Sequence, residues 1–211
     1  MAFAHLHVHT EYSLLDGSNK IKEYVARVKE LGMNSAAITD HGVMYGVIDF
    51  YRAAREAGIK PILGCEVYVA PNSRFDKELT GGEERYHHLV LLAENNTGYA
   101  NLMKIVSRGF TEGYYYKPRV DMEVLQEFHE GIIALSACLA GEVPRFILKG
   151  MKDEARKAAQ IRVLLRQGQL FSGTAGSRYP GAAYGEHGTA PDEQRTGHSA
   201  GNHQRCALHL C

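Results

Sequence analysis

Hydrophobic and polar positions follow two alternating patterns along the first 150 residues. Short apolar runs rich in β-branched residues are followed by longer segments in which apolar residues recur every three or four positions, which is typical of amphipathic helices. Strands are predicted at residues 5–10, 35–39, 61–69, 88–93 and 132–136. Helices are predicted at residues 21–31, 45–57, 99–110 and 143–149. This alternation predicts an α/β fold with a mainly parallel sheet or barrel and helices outside it.

Punctuating residues support several of these boundaries. Ser18 or Asn19 is suited to cap the first helix, while Gly32 and Gly58 are suited to end the first and second helices. The polar segment 71–85 contains two adjacent glycines and is predicted to be an exposed loop.

The first predicted strand carries three histidines that alternate with apolar residues. Side chains two positions apart share one face of a strand, so His5, His7 and His9 are expected to project together while Leu6 and Val8 pack behind them. Neutral imidazole is a common ligand of zinc-like ions. The pattern therefore indicates a metal site, although a polar strand face without metal remains an alternative on these residues alone.

Composition places the chain among globular proteins. Its 211 residues carry no formal net charge, so bulk electrostatics do not mark the segment as one that binds nucleic acid. The four cysteines show no paired spacing, which argues against a disulfide framework or zinc knuckle and favours a reducing cytoplasm. No apolar run is long enough to cross a bilayer, and the first residues lack signal-peptide character.

Five separate blocks of the sequence occur in the order of a known family. They read HLHVHTEYSLLDG, TDHG, GCEVY, HLVLLA and LSACLAGE. Together they resemble the PHP (polymerase and histidinol phosphatase) domain, most nearly the branch found at the N-terminus of bacterial DNA polymerase III alpha subunits. The resemblance covers residues 1–160. It implies a distorted (β/α)7 barrel, which this chain would leave incomplete at its C-terminal end.

The resemblance also implies a set of metal ligands near strand ends, where residues distant in sequence converge at one mouth of an α/β barrel. The expected ligands are His7, His9, Asp16, His41, Glu66, His88 and Cys138. They would hold two or three divalent ions, with zinc, manganese and magnesium as the candidates. A cysteine stands in the polymerase branch where phosphoesterase relatives often carry histidine, and a thiolate suits zinc.

Several of these residues have an alternative structural role. Asp16 precedes a glycine and could be a turn residue, and Cys138 could be an ordinary buried thiol. Glu66 lies in an apolar strand, where a carboxylate needs a partner. Asp40 is expected to orient the His41 ring. His87 and His88 point to opposite faces, and the family match favours His88.

The aromatic and basic segment YYYKPR, residues 114–119, also has two interpretations. It could stack bases and contact phosphates of a single strand, or it could pack at the barrel rim. Packing is the preferred interpretation.

The function implied by the resemblance is metal-assisted hydrolysis of a phosphate ester, which in a polymerase would be 3′-5′ trimming of a DNA end. The chain would then be a fragment of a DNA-directed DNA polymerase, with DNA and other replisome subunits as partners. One alternative is a structural module in which metal acts only as a staple. A free-standing phosphatase of the histidinol-phosphate type fits the motif wording less well.

The segment 161–211 departs from the family pattern. It is rich in glycine, alanine and small polar residues and lacks apolar periodicity, as in a disordered tail. Codons for residues 165–175, read one base later, can also spell Phe-Gly-Lys-Asp-Asn-Phe-Phe-Leu-Glu-Leu-Gln, which resembles the family's next strand. The hypothesis is a frameshift between residues 160 and 165. The last ligand pair of the family, an Asp and a His two apart, would then be missing, and the histidines of the tail would be accidental.

Overall fold

A computed structural model describes residues 3–78 and 85–164, with side chains described as far as residue 159. The fold is mixed α/β. Its helices are α1 (Ile21–Glu30), α2 (Val47–Ala57), α3 (Asn96–Thr111), α4 (Met122–Glu127), α5 (Glu142–Leu148) and α6 (Lys152–Leu164). Its strands are β1 (Ser35–Ile38), β2 (Lys60–Val69), β3 (His87–Ala93), β4 (Tyr114–Tyr115), β5 (Lys117–Val120) and β6 (Ile132–Leu135).

The sheet is built around β2, the longest strand. The strands follow the order β4-β5-β2-β3-β6, and β1 pairs with the first half of β2. β1 and β5 run parallel to β2, whereas β3 is antiparallel to both β2 and β6, and β4 is antiparallel to β5. The expectation of a mainly parallel sheet is therefore wrong. In the described ranges no helix connects β2 to β3, and a parallel pair would need such a crossover.

Closure into a barrel stays a prediction. Among residues 3–78 and 85–164, no strand pairing joins β6 back to β4, so the described sheet is open. The predicted boundary at residue 160 falls inside α6, which continues to Leu164. The remainder of the predicted tail lies outside the described residues. No helix in the described part of the chain is both long and apolar enough to span a membrane.

The helices of the first half lie close to their predicted positions, but their caps differ. α1 starts after Lys20, whose side chain makes no capping hydrogen bond, so the predicted cap by Ser18 or Asn19 is wrong. Asn19 instead donates from Nδ2 to the backbone carbonyl of His9 at 2.9 Å. α2 ends as predicted at Gly58, which takes the left-handed conformation with φ 76°.

The histidine-rich segment at the start is not a regular strand, which corrects the prediction for residues 5–10. It lies beside β1, and Thr39 N donates to the carbonyl of Val8 at 2.8 Å. The return bond from Val8 N goes to the Thr39 side-chain oxygen at 2.9 Å, so a regular ladder is interrupted. His5 is buried against Phe3, with ring centroids 4.8 Å apart, and does not join His7 and His9.

Alternation along β2 separates the core from the opposite face of the sheet. Cys65, Val67 and Val69 are buried in the apolar cluster that includes Leu102 and Ile105 of α3. The residues between them, Glu66 and Tyr68, point to the other face because side chains alternate along a strand. Tyr68 pairs with His88 in the antiparallel register of β3, so His88 shares this face and His87 does not.

Candidate metal centre

Glu66 is the centre of a cluster of imidazoles. Its side chain has no exposed surface, and Oε2 accepts a hydrogen bond from His7 Nε2 and lies 3.2 Å from His9 Nε2. Its other oxygen, Oε1, contacts His88 Nδ1 and lies 3.9 Å from His41 Nδ1. Four histidines from three distant parts of the chain thus meet one buried carboxylate.

The cluster contains three overlapping groups, each with ligand atoms within 4.8 Å of one another. These groups are His7, His9 and Glu66; His9, Asp16 and His41; and His41, Glu66 and His88. Because each group shares a residue with its neighbours, the arrangement has the form of adjoining cation positions and not of one isolated triad.

Asp16 joins the cluster through His41. Its Oδ2 lies 2.9 Å from His41 Nε2, and the Asp16 side chain is 54% exposed. The His41 ring also stacks on His9, with centroids 4.0 Å apart and planes at 18°. Asp16 therefore lies at the solvent side of the cluster, opposite the buried carboxylate of Glu66.

Cys138 lies at the edge of the cluster. It follows β6, and its Sγ is 3.9 Å from His88 Nδ1, although it belongs to none of the three groups among the described residues. The backbone of the same loop is fixed to β3, because His88 N donates to the carbonyl of Ala140 at 3.0 Å. All seven sequence-predicted ligands are thus contiguous, with Cys138 the most peripheral.

Asp40 anchors the loop that carries Asp16. This buried carboxylate accepts hydrogen bonds from Thr10 N at 2.6 Å, Thr10 Oγ1 at 2.7 Å and Ser13 Oγ at 2.7 Å. Ser13 Oγ in turn accepts from His41 N at 3.2 Å. The expected direct contact with the His41 ring is replaced by this indirect one through Ser13. The roles of Thr10 and Ser13 were not predicted from the sequence, although both residues lie within the first motif block, HLHVHTEYSLLDG.

Electrostatics in the cluster favour an ionised Glu66. Burial opposes its charge, but the adjacent imidazoles of His7, His88 and His9 outweigh burial and hold the pKa of Glu66 below its usual range. Burial likewise opposes a charged His88, yet Cys138 and Glu66 raise the pKa of His88 to about 9. Burial and the neighbouring His9 lower the pKa of His41. The pKa values of His88 and His41 are thus shifted in opposite directions beside the same carboxylate.

Aromatic residues line the wall next to the cluster. The Tyr68 ring lies 5.3 Å from the His88 ring and 6.2 Å from the His41 ring. Tyr86 contacts both Tyr68, at 4.8 Å, and His88, at 6.0 Å. The alternation of β2 gave a signal for Tyr68, whereas Tyr86 precedes its strand and gave none.

A comparison with family models matches the PHP domain over residues 5–168. The chain belongs to the PHP domain family. The resemblance inferred from the five motif blocks is confirmed by this match, which covers most of the chain. Curated relatives then indicate the branch of the family that this PHP domain resembles.

The curated relatives are bacterial polymerase subunits. The chain is 51% identical over 160 residues to DNA polymerase III subunit alpha of Treponema pallidum, and 48% identical over 161 residues to that of Thermus aquaticus. These alignments cover 76% and 74% of this chain but only 14% and 13% of the relatives. The PHP domain described here thus corresponds to a small part of those proteins.

Solved structures give weaker likenesses. An amidohydrolase of Chromobacterium violaceum aligns with 83% of this chain and 89% of its own, at 16% identity and a TM-score of 0.46. A Bifidobacterium adolescentis protein named as a metal-dependent phosphoesterase covers 52% of this chain and 34% of its own, at 20% identity and a TM-score of 0.37. At these TM-scores the likeness adds nothing to the family match.

The donor set of the PHP domain fits divalent cations. Among the described residues, Glu66 Oε1, His9 Nδ1 and His41 Nδ1 are buried without a hydrogen-bond partner of suitable geometry. Buried polar atoms normally have partners, and each is of a type that ligates metal. Imidazole and carboxylate donors suit zinc and manganese, and carboxylates also suit magnesium.

Proposed function

We propose that this PHP domain binds two or three divalent metal ions and uses them to hydrolyse a phosphate ester. The observation that carries the proposal is the convergence of four imidazoles on the buried carboxylate of Glu66. The proposed ligands are His7, His9, Asp16, His41, Glu66, His88 and Cys138. Divalent ions at such a site lower the pKa of a bound water and stabilise both oxygens of a phosphoryl displacement.

The residues of the chain divide the remaining work by their positions. Glu66 has no exposed surface, and both its oxygens face imidazoles. It therefore supplies the negative charge that the bound ions would share. Asp16 is the exposed carboxylate of the cluster, and it is placed to meet incoming substrate and solvent. Asp40 acts through Thr10 and Ser13, holding the Asp16 loop against the end of β1. Asp40 is therefore a positioning residue.

We further infer that the chain corresponds to the N-terminal PHP domain of a bacterial DNA polymerase III alpha subunit, in the cytoplasm. The support is identity of about half over three quarters of the chain to such subunits. In that setting the substrate is a DNA 3′ end and the reaction is 3′-5′ trimming. DNA-directed polymerisation, and contacts with other replisome subunits, would belong to the whole polymerase and not to the small share that this PHP domain represents.

A second candidate function is a metal staple without catalysis. The observation that favours it is that the cluster joins four segments: the first sixteen residues, the turn after β1, the middle of β2 and the start of β3. A cation bound there would hold those segments together, and metal binding to a site absent in the unfolded chain stabilises the fold. The same domain could then serve as a rigid contact surface for partner subunits.

One experiment separates the two candidates. The purified 211-residue chain would be analysed for bound metal and then incubated with manganese and single-stranded DNA labelled at its 5′ end. Glu66→Gln tests the central carboxylate, and Glu56→Gln, on the exposed side of α2, is the matched control. Hydrolysis predicts progressive shortening by wild type and the control but not by Glu66→Gln.

The possible results have distinct meanings. Bound metal that depends on Glu66, without any shortening of DNA, would support the staple. A chain that binds no metal, or one whose metal content is unchanged in Glu66→Gln, would overturn both candidates.

A further inference from the structure

The hairpin formed by β4 and β5 carries an aromatic residue in an unfavourable backbone conformation. Tyr115 pairs with Lys117, so Tyr116 alone forms the tip, and its φ is 60°. Bulky residues rarely adopt the left-handed region, because it is sterically strained for any residue with a side chain. The Tyr116 side chain at the tip is 61% exposed. A glycine there would relieve the backbone conformation, and little buried surface would be lost.

Two cations flank the exposed aromatic surface. The guanidinium carbon of Arg85 lies 4.2 Å from the centre of the Tyr116 ring. Lys117 Nζ lies 5.5 Å from the centre of the Tyr68 ring, on the side of the hairpin that faces β2. Arg85 is exposed and Lys117 is half-buried, so both charges remain accessible to a ligand.

The hairpin is connected to the metal centre by a continuous series of ring contacts. Lys117 covers Tyr68, and Tyr68 is the neighbour of His88 and His41 described above. Tyr86 extends the same series, because it packs on Tyr68 and lies nearly parallel to the His88 ring, with planes at 18°. Lys117, next to the hairpin tip, is therefore separated from the cluster by the Tyr68 ring alone.

The segment YYYKPR divides into a packed part and an exposed part, so packing, the preferred interpretation of the sequence, holds for only half of it. Arg119 is 1% exposed, and its guanidinium donates to the backbone carbonyls of Asp76 and Arg74 at 2.6 and 3.2 Å. It also lies 4.9 Å from the Tyr115 ring. Tyr114 and Tyr116, by contrast, are 53% and 61% exposed.

We propose that the hairpin tip is a subsite for single-stranded nucleic acid. A base stacks on Tyr116, and Arg85 and Lys117 contact the backbone phosphates of the strand whose end lies at the metal centre. Exposed rings combined with nearby cations are the arrangement by which proteins hold single strands without reading sequence. The proposal rests on the proposed function for its choice of a polynucleotide substrate.

The test measures binding separately from hydrolysis. Fluorescence anisotropy would follow the full chain binding to a labelled thymidine oligonucleotide in EDTA, where metal-dependent cleavage is excluded. Tyr116→Gly should weaken binding by roughly five- to a hundredfold, as expected for the loss of one stacked base. Tyr116→Phe should bind like wild type. Tyr114→Ala, an exposed tyrosine on the same hairpin, is the matched control and should change binding less than twofold.

Salt dependence tests the phosphate contact proposed for Lys117. Lys117→Met should reduce the slope of log affinity against log salt by about 0.7, the value for one phosphate contact to a single strand. Lys29→Met, an exposed lysine of α1, should leave the slope unchanged. Because glycine suits a positive φ, Tyr116→Gly should fold at least as stably as wild type, which a melting curve checks.

The outcomes distinguish this subsite from the proposed function. Binding that depends on Tyr116 in a chain that cleaves nothing would keep the subsite and remove the hydrolytic function. Cleavage that is insensitive to Tyr116→Gly, with unchanged affinity, would overturn the subsite and keep the hydrolytic function. Absence of oligonucleotide binding at low salt would overturn the subsite.

Discussion

Replacing Asp40 with asparagine tests whether one buried carboxylate holds the loop beside the metal centre. Asparagine has nearly the same shape, so the substitution removes charge without leaving a cavity. Three hydrogen bonds from Thr10 and Ser13 then lose their charged acceptor. Bonds to charged groups contribute about 1.5–3 kcal/mol, against about 0.5–1.5 for neutral pairs. A loss of roughly 1 kcal/mol for each bond predicts that Asp40→Asn lowers the free energy of unfolding by about 3 kcal/mol.

The assay is urea unfolding of the full chain in EDTA, so that metal binding does not contribute. Ser13→Ala removes one of the three bonds and also the bond that His41 N donates to Ser13 Oγ, so it should cost about 2 kcal/mol. Asp49→Asn, an exposed acid on α2, is the control and should stay within about 0.5 kcal/mol of wild type. Metal titration supplies a second readout, because loosening the loop displaces Asp16 and should weaken binding of the cation nearest to it.

A small change in the free energy of unfolding of Asp40→Asn would contradict this prediction. If Asp40→Asn unfolds within about 0.5 kcal/mol of wild type, the loop is held by other contacts. If Asp49→Asn costs as much as Asp40→Asn, the loss reflects overall charge and not these three hydrogen bonds.

Three further predictions follow from the packing and the electrostatics. Arg74→Met leaves the buried Asp121 without its cation, so we expect the free energy of unfolding in urea to fall by about 3–5 kcal/mol. Gly98→Ala should lower the melting temperature even though alanine favours helices, because the added Cβ would lie 1.9 Å from the Gly131 carbonyl oxygen. In EDTA, the charge of His88 stabilises the fold fully below pH 6.5, and this contribution should be lost as the pH rises through about 9. The check compares the melting temperatures of wild type and a variant without His88 from pH 6.5 to about 9. A difference between them that stays constant over this range would contradict this last prediction.

The sequence allowed the centre of the site to be predicted because alternation along a strand is a local property. Cys65, Glu66 and Val67 occupy successive positions of β2, so the carboxylate had to face away from the apolar residues on either side. The choice of His88 over His87 followed from the same alternation, together with the family resemblance. The ligand roles of these residues stay predictions, whereas their proximity is now observed.

Features that depend on distant partners could not be predicted in this way. The periodicity of residues 5–10 is that of a strand, but the Thr39 side chain takes the hydrogen bond that a regular ladder would need. β3 runs antiparallel to β2, and no local pattern within either strand encodes that direction. The hairpin of β4 and β5 was passed over because its strands are short and its tip lacks the glycine that usually marks a turn.

The position of β2 within the sheet has a consequence for how the chain tolerates changes in length. One edge of β2 pairs with β1 at Lys60 to Leu63 and with β5 at Tyr68 and Val69, while the other edge pairs with β3. After an insertion of one residue before Glu66, β2 could not pair with both β1 and β5 in their present registers. The residues on one side of the insertion would also move to the opposite face of the sheet. The carboxylate would then enter the hydrocarbon interior and a thiol or an alkyl group would replace it among the imidazoles. The pairings with the two parallel neighbours therefore fix the number of residues in β2 between them.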